Sequence, residues 1–81
     1  MRVRVQFYAQ LRDAAGESGL DLDLTENITA GELLEKLYCR KPALRAFDGT
    51  ILVGAGLEFV KRDYIIQGGD EISIMPPVQG G

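Results

Sequence analysis

From Arg2 to Tyr8 the chain alternates without a break, with Val3, Val5 and Phe7 on one parity and Arg2, Arg4, Gln6 and Tyr8 on the other. A period of two marks a strand with one buried face. Leu20, Leu22 and Leu24 repeat the pattern against Asp21 and Asp23. Paired antiparallel, the two strands put arginines and aspartates on one outer face. Cross-strand ion pairs there contribute about 0.2–1 kcal/mol each and help to fix register. Between the strands, Gln10 to Ala15 predicts a short helical turn, closed by Gly16 as a left-handed cap.

The period then changes. Thr29-Ala30-Gly31-Glu32 matches a capping box, in which Thr29 accepts from the third N–H of the helix and Glu32 reaches back. Ala30, Leu33, Leu34, Leu37 and Tyr38 follow at helical spacing as one apolar stripe. Pro42 ends this helix by Lys41. Leu44 and Phe47 pin the connection to the core, and Asp48-Gly49 is a turn. Ile51-Leu52-Val53 reads as a short strand and Leu57-Glu58-Phe59-Val60 as another. Lys61-Arg62-Asp63 reads as a solvated charged stretch, and Gly68-Gly69-Asp70 as a turn. Ile72 and Ile74 alternate with Glu71, Ser73 and Met75 in a last strand. Two strands before one main helix and more after it give an α+β roll, a mixed sheet with the helix on one face. The first and last strands are expected as parallel neighbours in mid-sheet, as in the ubiquitin-like β-grasp.

Parity also predicts what the open face carries. With Val3, Val5 and Phe7 turned to the helix, Tyr8 faces away; with Ile72 and Ile74 turned in, Met75 faces away. Phe59 is expected to join them. Large apolar side chains on an open sheet face mark a partner site, against the competing reading of scattered exposed hydrophobics, which are ordinary.

Composition narrows the chemistry. The chain has 81 residues and a net charge of −3, so one domain is expected and a general nucleic-acid binder is not. No run approaches the ~18 apolar residues of a membrane span. Met1-Arg2-Val3-Arg4 reads as strand, not signal peptide, and a cytoplasmic location is expected. There is no histidine, which removes Ser-His and Cys-His catalysis. Cys39 is the only cysteine, so no CxxC metal or redox motif exists and no metal site is expected. Cys39 itself reads as structural or incidental. Gly54-Ala55-Gly56 is not a phosphate loop, since neither Lys-Ser/Thr nor a helix follows; close backbone packing or a bulge accounts for it better.

What remains is the end of the chain, Pro76-Pro77-Val78-Gln79-Gly80-Gly81, expected as a flexible tail (76–81) on a body spanning 1–75. The two prolines cannot continue a central strand. Gly80 and Gly81 have no Cβ and can thread a channel too narrow for other residues. At about 3.1 Å per residue in a polyproline-like form, the tail reaches roughly 19 Å. Its reactive group is the α-carboxylate of Gly81, with an ordinary pKa of about 3.3–3.7. As an anion it is a poor acyl donor until another protein activates it. The competing reading is a frayed terminus.

Phe7-Tyr8-Ala9-Gln10-Leu11-Arg12, Gly69-Asp70-Glu71-Ile72 and above all Pro76-Pro77-Val78-Gln79-Gly80-Gly81 resemble the molybdopterin synthase small subunit, a MoaD-type sulfur carrier of the ubiquitin-like β-grasp family. The resemblance covers essentially the whole chain. It implies that a ubiquitin-activating-like adenylyltransferase adenylates Gly81 with ATP. Sulfur transfer then yields a thiocarboxylate, and the tail enters the large subunit of a molybdopterin synthase heterotetramer. There the sulfur passes to a pterin precursor, forming the dithiolene of the molybdenum cofactor. No cofactor is implied on this chain. Arg12, at the family's Arg position, is implied to support docking near the tail beside the parity-predicted contacts Tyr8, Phe59 and Met75, although an exposed Arg12 reads equally well as a solvated charge. The family often has Val-Asn where Ala55-Gly56 stands, and Thr or Ser where Gln79 stands. Other readings stay open: a carrier for thiamine synthesis or tRNA thiolation, a ubiquitin-like modifier joined to lysines through Gly81, and, weakest, a stand-alone enzyme.

Overall fold

The computed structural model describes residues 1–77; Val78, Gln79, Gly80 and Gly81 lie outside the described residues. The elements are β1 (Arg2–Phe7), α1 (Gln10–Ala15), β2 (Gly19–Asp23), α2 (Ala30–Arg40), a 3-10 helix (Pro42–Phe47), β3 (Leu52–Ala55), β4 (Glu58–Val60) and β5 (Glu71–Met75). They build a five-stranded sheet in the order β2-β1-β5-β3-β4. β1 and β5 run parallel, and every other pair is antiparallel. The fold is a β-grasp-like mixed sheet with one main helix, as the alternation and the single helical stripe predict.

The alternation of β1 is reproduced residue by residue, polar side chains out and Val3, Val5 and Phe7 in. These join Ile72, Ile74 and Val53 from the other strands and Leu33, Leu34, Leu37 and Tyr38 from α2 in one core. Fully burying a side chain of this kind is worth about 1.5–3 kcal/mol. α2 begins where the capping box places it: the Glu32 N–H donates to Thr29 Oγ1 at 3.2 Å, and the Thr29 N–H donates to Glu32 Oε1 at 3.0 Å. The donation from the Thr29 backbone holds the Glu32 carboxyl below its usual range. α1 ends on Gly16 at φ 79°, whose N–H donates to the Arg12 carbonyl.

Two local features differ from the sequence reading. The stretch after α2 is a 3-10 helix with Pro42 in its first turn, Leu44 buried and Phe47 packed against the core. Arg62 is not simply solvated. Its Nη1 donates to Asp48 Oδ1 at 3.0 Å, and its carbonyl accepts from the Gly31 N–H at 2.9 Å. Asp48 also accepts from the buried Tyr38 hydroxyl at 2.6 Å, and the Arg45 guanidinium lies 5.0 Å from the Tyr38 ring centre. Tyr38 is buried inside a helix stripe, so its hydroxyl needs a partner, and Asp48 is that partner. Burial first, and then Asp48, push the Tyr38 phenol well above its ordinary pKa. The same bond from Tyr38, with Arg62, holds Asp48 below the usual carboxylate range.

Candidate functional site

The parallel pairing of β1 with β5 decides where the exposed apolar residues collect. In that register Phe7 is opposite Ile74, and the Tyr8 N–H donates to the Ile74 carbonyl at 3.1 Å. The carboxyl ends of both strands therefore lie side by side. Tyr8 and Met75, one residue beyond the buried pair, emerge together on the open face. β3 brings Leu52 opposite Met75 and Gly54 opposite Ser73, and β4 brings Phe59 opposite Gly54. The result is an apolar strip of Tyr8, Met75, Leu52 and Phe59 at the end of the sheet where the chain leaves β5. Phe59 is 62% and Tyr8 44% exposed, while Met75 and Leu52 are half-buried.

The opposite end of the same face is charged. Arg2 pairs with Asp23 at 3.4 Å and Arg4 with Asp21 at 3.5 Å, and Glu71 stands opposite Arg4 on β5. The cross-strand ion pairs expected from the alternation thus form where expected.

Gly54 shapes the apolar end. A Cβ there would lie 3.3 Å from the Met75 methyl, so its absence lets Met75 and Phe59 flank a notch of about 80 Å³ that Gly56, Leu57 and Glu58 complete. Gly54 is thus a close-packing position, one of the two explanations its sequence context allowed. Gly56 turns the β3–β4 hairpin at φ 63°, leaving Leu57 fully exposed at 105%. The sequence reading placed Leu57 in a strand and missed it; the preceding Gly56 was the available signal that the chain turns there.

Tyr8 reaches the face through a strained turn. Ala9 has φ 52° and ψ −132°, a conformation glycine adopts far more readily than alanine. Leu11, fully buried, and the bond from the Arg12 N–H to the Ala9 carbonyl at 3.0 Å hold it there. Arg12 is exposed on α1, with no ion-pair partner among the described residues. Pro76 is half-buried and Pro77 exposed. The sequence-predicted tail positions Val78, Gln79, Gly80 and Gly81 lie outside the described residues. Cys39 is exposed at the end of α2. Among the described residues no group of His, Cys, Asp and Glu could hold a metal ion, and no helix is long and apolar enough to cross a membrane. The arrangement leaves an exposed apolar strip beside Pro76, where the chain leaves β5.

Comparison with known proteins bears on the family and the fold. The pattern of the ThiS family matches residues 5–81. A molybdopterin synthase sulfur carrier subunit from Drosophila yakuba is 31% identical over 83 residues, covering 100% of this chain and 92% of that protein. One from Arabidopsis thaliana is 26% identical over 81 residues, covering 100% of this chain and 84% of that protein. Among solved structures, SAMP1 from Haloferax volcanii, a small archaeal modifier protein, superposes with a TM-score of 0.85 at 30% identity, covering 100% of both chains.

Proposed function

The chain belongs to the ThiS family, and from that premise we propose that it is the sulfur-carrying small subunit of a molybdopterin synthase, without catalysis of its own. Residues 1–75 act as the body and residues 76–81 as the arm. An ATP-dependent, ubiquitin-activating-like adenylyltransferase joins AMP to the Gly81 carboxylate and releases pyrophosphate. A sulfur donor displaces AMP and leaves a terminal thiocarboxylate. The arm then enters the large subunit, and the sulfur passes to a cyclic pterin phosphate to build the dithiolene. Catalytic groups belong to the partners, in keeping with a chain that has no histidine.

The observation that carries this reading is the position of the apolar strip. Tyr8, Met75 and Phe59 lie on the open face at the point where the chain departs toward its Gly-Gly end. A partner seated on that strip has the arm within reach of its own active site, and two prolines limit the entropy lost when the arm is threaded. On this reading the exposed Arg12 of α1, four residues after Tyr8, supports docking near the arm.

The test is reconstitution. The thiocarboxylate form, mixed with a large subunit and the cyclic pterin phosphate, is expected to give the dithiolene product, and the carboxylate form none. A loaded chain that leaves the precursor untouched, beside a large subunit active with another carrier, would instead assign it to thiamine synthesis or tRNA thiolation.

The likeness to SAMP1, at 30% identity across the whole chain, favours a second reading as a protein modifier. The same acyl adenylate can be taken by a lysine amine. Conjugates whose linkage maps to Gly81 would establish that role.

A further inference from the structure

β2 is an edge of the sheet, paired on one side with β1. The antiparallel register sets which of its backbone groups face the other way. Met1 and Leu24 exchange both bonds, each at 2.7 Å, and the Phe7 N–H donates to the Ser18 carbonyl at 2.9 Å. Hydrogen-bonded and non-bonded pairs alternate in an antiparallel ladder. Leu20 and Leu22 therefore bond to β1, while Asp21 and Asp23, opposite Arg4 and Arg2, direct their N–H and C=O groups to the free edge.

Beside that edge lies a groove of about 390 Å³, lined by Asp21, Leu22, Asp23, Lys36, Cys39 and Arg40. Lys36 and Arg40, four residues apart on α2, share one helix face and have no ion pair among the described residues. The Asp21 and Asp23 carboxylates, by contrast, pair with Arg4 and Arg2 on the outer face of the sheet. The groove thus joins a row of unused backbone donors and acceptors to a basic wall, in a chain of net charge −3.

We propose that the β2 edge and the adjacent face of α2 form a second docking site, for an extended peptide that adds as a strand beside Asp21 and Asp23 and turns acidic side chains toward Lys36 and Arg40. Strand addition supplies affinity through the main chain and specificity through alternate side chains. The charges fix the pattern. Side chains on the helix side meet Leu22, Lys36, Cys39 and Arg40, so valine and glutamate suit them. Side chains on the outer side meet Asp21 and Asp23, so they must be neutral or basic. A second copy of this chain is disfavoured as occupant, because edge-to-edge pairing of two β2 strands sets aspartates against aspartates. The site lies across the sheet from the apolar strip and is independent of it.

The test is an amide NMR titration of the full chain with the blocked peptide Thr-Val-Thr-Glu-Thr-Val and with its Glu→Lys counterpart. The glutamate peptide is expected to shift the Asp21 and Asp23 amides, to slow their exchange, and to bind about fivefold tighter than the lysine peptide, the ratio that two exposed ion pairs supply. The double variant Lys36→Glu, Arg40→Glu, exposed at both positions and so expected to fold, should reverse the preference. No shift at Asp21 and Asp23, shifts centred on Phe59 and Met75, or equal binding of the two peptides would overturn the proposal. None of these outcomes bears on sulfur loading at Gly81.

Discussion

Ile74 and Met75 are consecutive in β5 and lie on opposite faces of the sheet. Ile74 is fully buried against the core, and Met75 stands half-exposed beside Phe59 over the Gly54 notch. The same step separates Phe7, the last residue of β1, from Tyr8 just after it. A strand turns successive side chains to opposite faces, so one residue of displacement separates a position that holds the fold from one that offers a contact. The outer face is itself divided. Its charged end repeats ion pairs that help set the register, and its apolar end has no internal reason to be apolar. This difference is what favours the apolar end as the partner contact in the proposed function: where an exposed residue serves only its own fold, charge is the usual solution.

Substitution should separate the two faces cleanly. Ile74→Ala is expected to lose about 2–5 kcal/mol of stability, read by denaturant unfolding, because it opens a cavity in a packed core. Phe59→Ala and Met75→Ala should leave the unfolding midpoint nearly unchanged, yet each should weaken binding to the large subunit about tenfold, measured by calorimetry, as centrally placed contacts do. If Phe59→Ala unfolded the protein and bound normally, the division of faces would be wrong.

Ala9 sharpens the comparison at the turn that follows Phe7 and Tyr8. Ala9→Gly relieves a left-handed conformation worth about 1–3 kcal/mol, less the greater entropy glycine loses on folding. A gain of a few degrees in Tm is expected by calorimetric melting. A loss would show that the Ala9 methyl supports the turn.

The smallest effect concerns pH. The hydrogen bond from Tyr38 and the ion pair with Arg62 depress Asp48, and the bond from Lys41 depresses Glu17. A depressed carboxylate contributes stability that is present above its ordinary pKa, about 4, and is lost as the pH falls through the lower folded value. Tm should therefore fall on acidification below about pH 4, and less steeply in Asp48→Asn. Tyr38 acts in the opposite sense. Its pKa is raised, so its contribution is present below the ordinary tyrosine value of about 10 and is lost only at higher pH.

Much of this was legible in the chain because it is short-range. Alternation in Arg2 to Tyr8 and Glu71 to Met75 gives both faces, and Thr29 with Glu32 gives the start of α2. The parallel pairing of β1 with β5 followed from the likeness of the element order to the ubiquitin-like β-grasp. The Tyr38–Asp48–Arg62 cluster was not legible, since it joins three segments that only the folded connection brings together. The 3-10 helix was hidden because Leu44 and Phe47, three apart, fit a loop as well as a tight turn. Leu57 was misplaced because an apolar residue beside Phe59 looks like strand until Gly56 is seen to reverse the chain. The free edge of β2 depends on which strand takes the outer position, which periodicity does not specify.

The central claim is that the body presents Gly81 to other proteins' chemistry. Its most direct test is the intact mass of the chain after incubation with an activating enzyme, ATP and a sulfur donor. Conversion of the terminal carboxylate to a thiocarboxylate should add roughly 16 Da, the exchange of one oxygen for sulfur at the titratable end group. A variant extended by one residue past Gly81 should gain nothing and melt at the same temperature. Equal loading of the extended variant, or a mass gain that maps to Cys39 instead of the terminus, would contradict the account.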